Sequence, residues 1–197
     1  AMAKGEAFHT ALGAVLKRVF TKHQRVLFDG DNYSAAWRAE AARRGLPCAM
    51  TTPEALEALR SEPVVALFKK YGIFSEREIL SRYEIYAETY GKVIALEASC
   101  ALRMLRTQLI PAGLAYAEEL RLSGREAPLV KLTQRVRRLT LTLLTTADKL
   151  ETALAKDAAG PVLELMGKAR AAADELEKLV PADSWPLPIY ADMLFPG

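Results

Sequence analysis

The chain predicts a mostly all-α protein: a small N-terminal helical subdomain with at most one short strand, followed by an elongated antiparallel helical bundle. Three observations predict it. A loop at Tyr71-Gly72 leads into Ser75-Glu76-Arg77-Glu78, where Ser75 can accept from the free N–H groups of a first turn while Glu78 reaches back to the cap's own N–H, a capping box. From there to Leu109 neither proline nor cap interrupts the pattern. Leucines recur at helical spacing from Glu126 to Lys156, and the breakers Ser123-Gly124, Gly160-Pro161 and Pro181 divide the second part into three long segments with short turns.

Each element follows from local chemistry. Glu6 to Thr21 carries Phe8, Leu12, Val15, Leu16 and Val19 on one helical face. Val26-Leu27-Phe28 is a short β-prone run closed by the turn cluster Asp29-Gly30-Asp31-Asn32. Ser34 to Arg44 reads as a helix with Trp37 and Ala41 on one side, ended by Gly45 with Pro47 beyond. Thr52-Pro53 starts another, carrying Leu56 and Leu59, and Pro63 opens a short one through Lys70. The longest helix should run from Ser75 to about Leu122, with Ile79, Tyr83, Tyr86, Tyr90, Val93, Glu97, Cys100, Met104 and Leu105 as its packed stripe and a bend near Pro111. Glu97, the one charge on that stripe, should meet an arginine or the edge of the bundle. The second long helix uses Leu129, Leu132, Val136, Leu139, Leu143, Ala147, Leu150 and Leu154, and the third uses Leu163, Met166, Ala169, Ala173, Leu176 and Leu179. The tail Trp185-Pro186-Leu187-Pro188-Ile189-Tyr190 through Leu194-Phe195 is too apolar to be left in water. It should return to clasp the first long helix or the N-terminal subdomain.

Composition narrows the function classes. A formal charge of +3 is too weak to imply nucleic acid by itself. Cys48 and Cys100 match no metal or redox spacing and read as reduced thiols, Cys100 on a packed face. No apolar run reaches the length of a membrane helix, so the expectation is a cytoplasmic protein with no membrane contact. The start Ala1-Met2-Ala3 reads as a cut tag or cut chain, and so as a fragment.

Candidate chemistry is meagre. His9 and His23 have no carboxylate or thiol partner at helical spacing, no Gly-x-Ser-x-Gly elbow surrounds any serine, and no Gly-rich phosphate loop of a common type is present. Asp29, Asp31, Tyr33 and Glu40 fall at positions 1, 3, 5 and 12 of a calcium-loop template, yet Tyr33 and Ser34 stand where it needs a suitable oxygen ligand and a glycine. That stretch predicts a turn and a cap instead. Lys131, Arg135, Arg137 and Arg138 form the densest basic patch, with Arg103 and Arg106 a second; without interleaved aromatics they read as solvated faces or ion pairs across the bundle. No catalytic, cofactor-binding or metal-binding residue is assigned.

Taken together and in order, Phe28-Asp29-Gly30-Asp31-Asn32-Tyr33-Ser34 with Trp37, Arg44-Gly45-Leu46-Pro47, Thr51-Thr52-Pro53-Glu54-Ala55-Leu56, Ser75-Glu76-Arg77-Glu78 with Arg82-Tyr83-Glu84, and Trp185-Pro186-Leu187-Pro188 with Tyr190 and Met193-Leu194-Phe195 resemble the C-terminal region of the type III glutamine synthetases. From Arg121 to Gly160 the chain offers no such words. The resemblance implies an ATP-dependent glutamate–ammonia ligase whose metal-binding carboxylates, for Mg or Mn, and substrate-handling arginines lie upstream of this region. It implies that residues 1–70 are the end of the catalytic-fold region and 71–197 a helical bundle domain special to type III. The partners implied are the catalytic domain of the same polypeptide and neighbouring subunits of a large oligomer. The chain alone is expected to be inactive and to serve structure and assembly. The alternative is a free-standing helical module that binds a protein or RNA through the basic patch.

Overall fold

The computed structural model describes residues 7–156, 159–188 and 193–194 and divides into two compact units, Ala1–Val64 and Val65–Gly197. Its helices are α1 (Phe8–Lys22), α2 (Ala35–Arg43), α3 (Thr52–Leu56), α4 (Glu62–Lys70), α5 (Glu76–Met104), α6 (Ile110–Ser123), α7 (Ala127–Leu154) and α8 (Ala159–Glu177). No strand occurs among the described residues, in keeping with an all-α fold. The β-prone run goes unpaired: Gln24–Val26 make a 3-10 turn and Leu27 is merely extended, because a lone strand needs a second edge to satisfy its backbone.

In the N-terminal unit, turns and caps do most of the shaping. Asp31 Oδ1 accepts from the N–H of Tyr33 at 2.9 Å, and Ser34 Oγ accepts from the N–H of Trp37 at 3.1 Å, capping α2. Gly45 follows α2 at φ 65°, the left-handed conformation that ends helices at little cost only for glycine. Thr51, one residue before the expected Thr52, caps α3 in a capping box with Glu54. The Arg44 guanidinium donates to the carbonyls of Arg25 and Leu27 and pairs with Glu40, tying the segment before α2 to its end. Beside it the Phe28 and Trp37 rings stack with centroids 4.4 Å apart, and Arg44 lies 6.0 Å from the Trp37 ring. Yet among the described residues of this unit only Ala11 and Ala41 are buried.

The second unit is the bundle. Ser75 and Glu78 form the expected capping box, and the helical path runs through α5, a π turn at Leu105–Leu109, and α6. That turn answers the problem Pro111 poses. Proline lacks an N–H and crowds the carbonyl four residues back, and the wider turn, with the N–H of Ile110 bonded to the carbonyl of Leu105, takes these carbonyls out of α-helical register. The helix passes Pro111 without becoming two helices joined by a loop.

Helix α7 packs on α6 and α8 and also meets α5. Its Val136, Thr140, Leu143, Ala147 and Leu150 are almost wholly buried, four of them on the stripe read from the sequence, while Leu132, Leu139 and Leu154 pack at its margins. The hydroxyls of Thr133 and Thr140 are satisfied within the helix, donating to the carbonyls of Leu129 and Val136. The stripe on α5 needs correction. Ile79 and Leu105 of the expected stripe are buried, but Tyr86, Val93, Glu97 and Cys100 are exposed, and between the two ends the buried line runs through Ile94 and Ala98. Apolar residues lie on more than one face of α5, and the face with small residues such as Ala98 allows the closer approach. Glu97 does reach the exposed edge. On α6 and α8, Leu114 and Leu163 face outward, while Ala117, Leu120, Ala169, Ala173 and Leu176 are buried. Gly160 and Pro161 lie in the first turn of α8 rather than breaking the chain before it.

The tail turns back after α8. A 3-10 turn at Ala182–Ser184 delivers Trp185 into the bundle core, where it is 8% exposed, and Leu187 packs at the core's edge. The surface that receives them is the bundle's own core, which includes Ile94 and Ala98 of α5. Leu194 is exposed; Ile189, Tyr190 and Phe195 lie outside the described residues.

Three outcomes check this packing. A Cβ added at Gly113 would overlap the Oγ1 of Thr140 and come within 3.1 Å of Leu176 Cδ2. Gly113→Ala should therefore destabilise by about 1–3 kcal/mol of overpacking, against about 1 kcal/mol gained in helix propensity. Adding Thr140→Ala should recover part of the loss, a non-additivity that a double-mutant cycle of urea melts would reveal; simple additivity would show the approach to be loose. Trp185→Ala should cost about 3 kcal/mol. Deleting everything after Val180 should lower the melting temperature and raise dye binding, and an unchanged melt would mean that the tail adds nothing to the bundle.

Candidate functional site

The residues that carry the family resemblance converge on structural tasks. Asp31 and Ser34 build a turn and a cap, Thr51 with Glu54 and Ser75 with Glu78 form capping boxes, and Phe28, Trp37, Glu40 and Arg44 form one stacked, ion-paired cluster. Arg82 lies over the Phe74 ring at 4.4 Å, Phe74 packs against Phe68, and Trp185 fills the core. The one hydroxyl of this set that meets a carboxylate, Ser75 on Glu78 Oε2 at 2.8 Å, is engaged in its capping box.

The calcium template comes apart in three dimensions. Asp31 is occupied by its own turn, Tyr33 is 94% exposed, and Glu40 is held by Arg43 and Arg44. His9 meets the edge of Phe8, and His23 closes the end of α1. Among the described residues no three His, Cys, Asp or Glu side chains converge as metal ligands, and both cysteines are free and exposed. A divalent metal takes several oxygen ligands at once, and these side chains do not bring such a set together.

The basic residues separate. Arg135 pairs with Glu175 of α8 at 2.8 Å, and Arg106 bridges Asp148 and Glu151 of α7, so both patches contribute ion pairs across the bundle. The carboxyl of Glu175 is held below the usual range by Lys178 first and Arg135 second. Arg137 and Arg138 face outward with Gln134 and Leu141 along an open hollow of about 500 Å³. Arg137 also joins Arg121 and Arg125 around a second hollow of about 630 Å³ at the α6–α7 turn. There Arg121 forks onto Glu118 and is the main cause of that carboxyl's lowered pKa, with Arg137 adding a weaker attraction. Such a surface can attract anions.

Comparison with known proteins places this geometry. The glutamine synthetase C-terminal domain family matches residues 11–126, from α1 to the turn before α7. The match ends where the words of the resemblance also thin out. A glutamine synthetase of Butyrivibrio fibrisolvens is 31% identical over 97% of this chain and 30% of its own length. A type-3 glutamine synthetase of Dictyostelium discoideum is 32% identical over 94% of this chain and 29% of its own length. A glutamine synthetase of Bacteroides fragilis (strain YCH46) is 26% identical over 98% of this chain. The chain spans about 30% of the length of the curated relatives it matches.

The Glu40 cluster inside the matched region yields a pH prediction. Hydrogen bonds from Arg43 and then Arg44 lower the Glu40 pKa from 4.5 to about 2. A depressed carboxyl pKa stabilises the fold above the unfolded value and ceases to do so as pH falls through the folded one. The indole signal of Trp37 in NMR spectra should therefore move as pH falls from 4.5 to about 2, and Glu40→Gln should abolish that transition. An identical acid titration in the Gln variant would show that Glu40 does not hold the cluster.

Proposed function

Because this chain belongs to the glutamine synthetase C-terminal domain family, we propose that it is the structural, assembly-bearing C-terminal part of a type III glutamine synthetase. The chemistry of the parent polypeptide, joining glutamate and ammonia with ATP and Mg or Mn, is carried by other parts of that polypeptide. One observation carries this reading: the glutamine synthetase C-terminal domain family matches residues 11–126, and within that stretch Asp31, Ser34, Thr51, Glu54, Ser75 and Glu78 act as turns and helix caps. Relatives about three times as long as the chain support a parent with further domains, here taken to include the catalytic domain. Within that reading the domain braces the catalytic fold and offers its outer faces to neighbouring subunits of an oligomer in the cytoplasm. Two free thiols accord with that compartment, and no helix of the described residues is long and apolar enough to cross a membrane.

The test compares two proteins. The 197-residue chain, given ATP, glutamate, ammonium and Mg or Mn, should release no phosphate beyond a heat-treated control, and the polypeptide encoded by the whole reading frame should form glutamine. Metal-dependent turnover by the short chain, or a reading frame that adds no further domain, would overturn the reading.

A further inference from the structure

The N-terminal unit has an apolar ridge and almost no interior. On α1, Phe8, Leu12, Val15, Leu16 and Val19 line one helical face, and all five are between 37% and 54% exposed. The same unit buries only Ala11 and Ala41 among its described residues. Segments this short need an apolar interior to offset the entropy of ordering the chain, and the Arg44 cluster supplies polar and stacking contacts in place of one. Monomeric proteins seldom leave a continuous apolar stripe in water unless another surface covers it.

We propose that this stripe is the docking ridge by which the domain seats on the preceding part of its own longer polypeptide, and that the N-terminal unit acquires its interior only there. The inference rests on the reading of the chain as the C-terminal part of a larger synthetase. Three observations choose this occupant. The matched family is described as a C-terminal domain, and the relatives carry about 70% of their length outside the matched region; in the proposed reading that material precedes α1. A covalently attached surface is present at an effective concentration of about millimolar, far above that of a second copy in dilute solution. Helix α1 also carries Arg18 and Lys22 along one margin of the stripe and no acidic residue, so the receiving surface is an apolar trough with an acidic edge.

Hydrogen exchange tests the proposal in the full reading-frame polypeptide and in the 197-residue chain. The amides of α1 should exchange at least about tenfold more slowly in the full polypeptide. Leu16→Asp in the full polypeptide should remove that protection while leaving exchange in α5–α8 unchanged, and Lys17→Ala should leave most of it in place. Equal exchange of α1 in the two proteins overturns the proposal. So does protection already present in the short chain: if it grows with concentration a second copy covers the ridge, and if it does not, the chain covers itself. Glutamine formation by the full polypeptide is measured in parallel. Activity with an unprotected α1 defeats the docking ridge alone, whereas absence of activity defeats the reading on which it rests.

Discussion

The bundle depends on burying one face of α7 against helices on several sides at once. Val136, Leu143, Ala147 and Leu150 have essentially no contact with water, and a fully buried aliphatic side chain contributes about 1.5–3 kcal/mol. Such burial requires backbones to come close, and Gly113 makes room: without a side chain, α6 lies against Thr140 of α7 and Leu176 of α8. The π turn ahead of Pro111 belongs to the same arrangement. It carries the first long rod past a residue that ordinary helical geometry rejects, so that Leu105, Leu109 and Ile110 all enter the core. Trp185 then closes that core from the chain's other end.

The N-terminal unit obeys different physics. Its order comes from short-range directional contacts: a capped α2, a left-handed Gly45, a capping box at α3, and the Arg44 side chain joining two carbonyls, a carboxylate and an indole. Exposed contacts of this kind set shape more than stability. The apolar stripe of α1 lies exposed on that unit. The bundle, by contrast, carries its own core.

Sequence legibility followed the range of the interaction. Ser34, Ser75 and Glu78 act within one turn of themselves, and their roles could be read directly. The period of α7 was equally plain because its apolar residues lie on one face. On α5 the same reading chose Tyr86, Val93 and Cys100 over Ile94 and Ala98, since a helix apolar on several faces does not reveal which one its neighbours cover. Nothing near Gly113 in the sequence announces Thr140 or Leu176, and a glycine inside a helix reads locally only as a weakness. For the candidate site, the two basic clusters were visible in the residue types. Which arginines pair across the bundle and which face outward was not, because that depends on where Asp148, Glu151 and Glu175 come to lie.

By itself the sequence determined the all-α class, the start of nearly every helix and the long rod through Pro111, because caps, breakers and the 3.6-residue period act on residues a few positions apart. Tertiary structure alone decided which face of α5 is inside, how closely α6 approaches α7, where Trp185 lodges, and that the apolar stripe of α1 stays uncovered. The reason is physical. Burial belongs to pairs of surfaces, and a stripe of side chains encodes its own apolarity without encoding the surface that meets it.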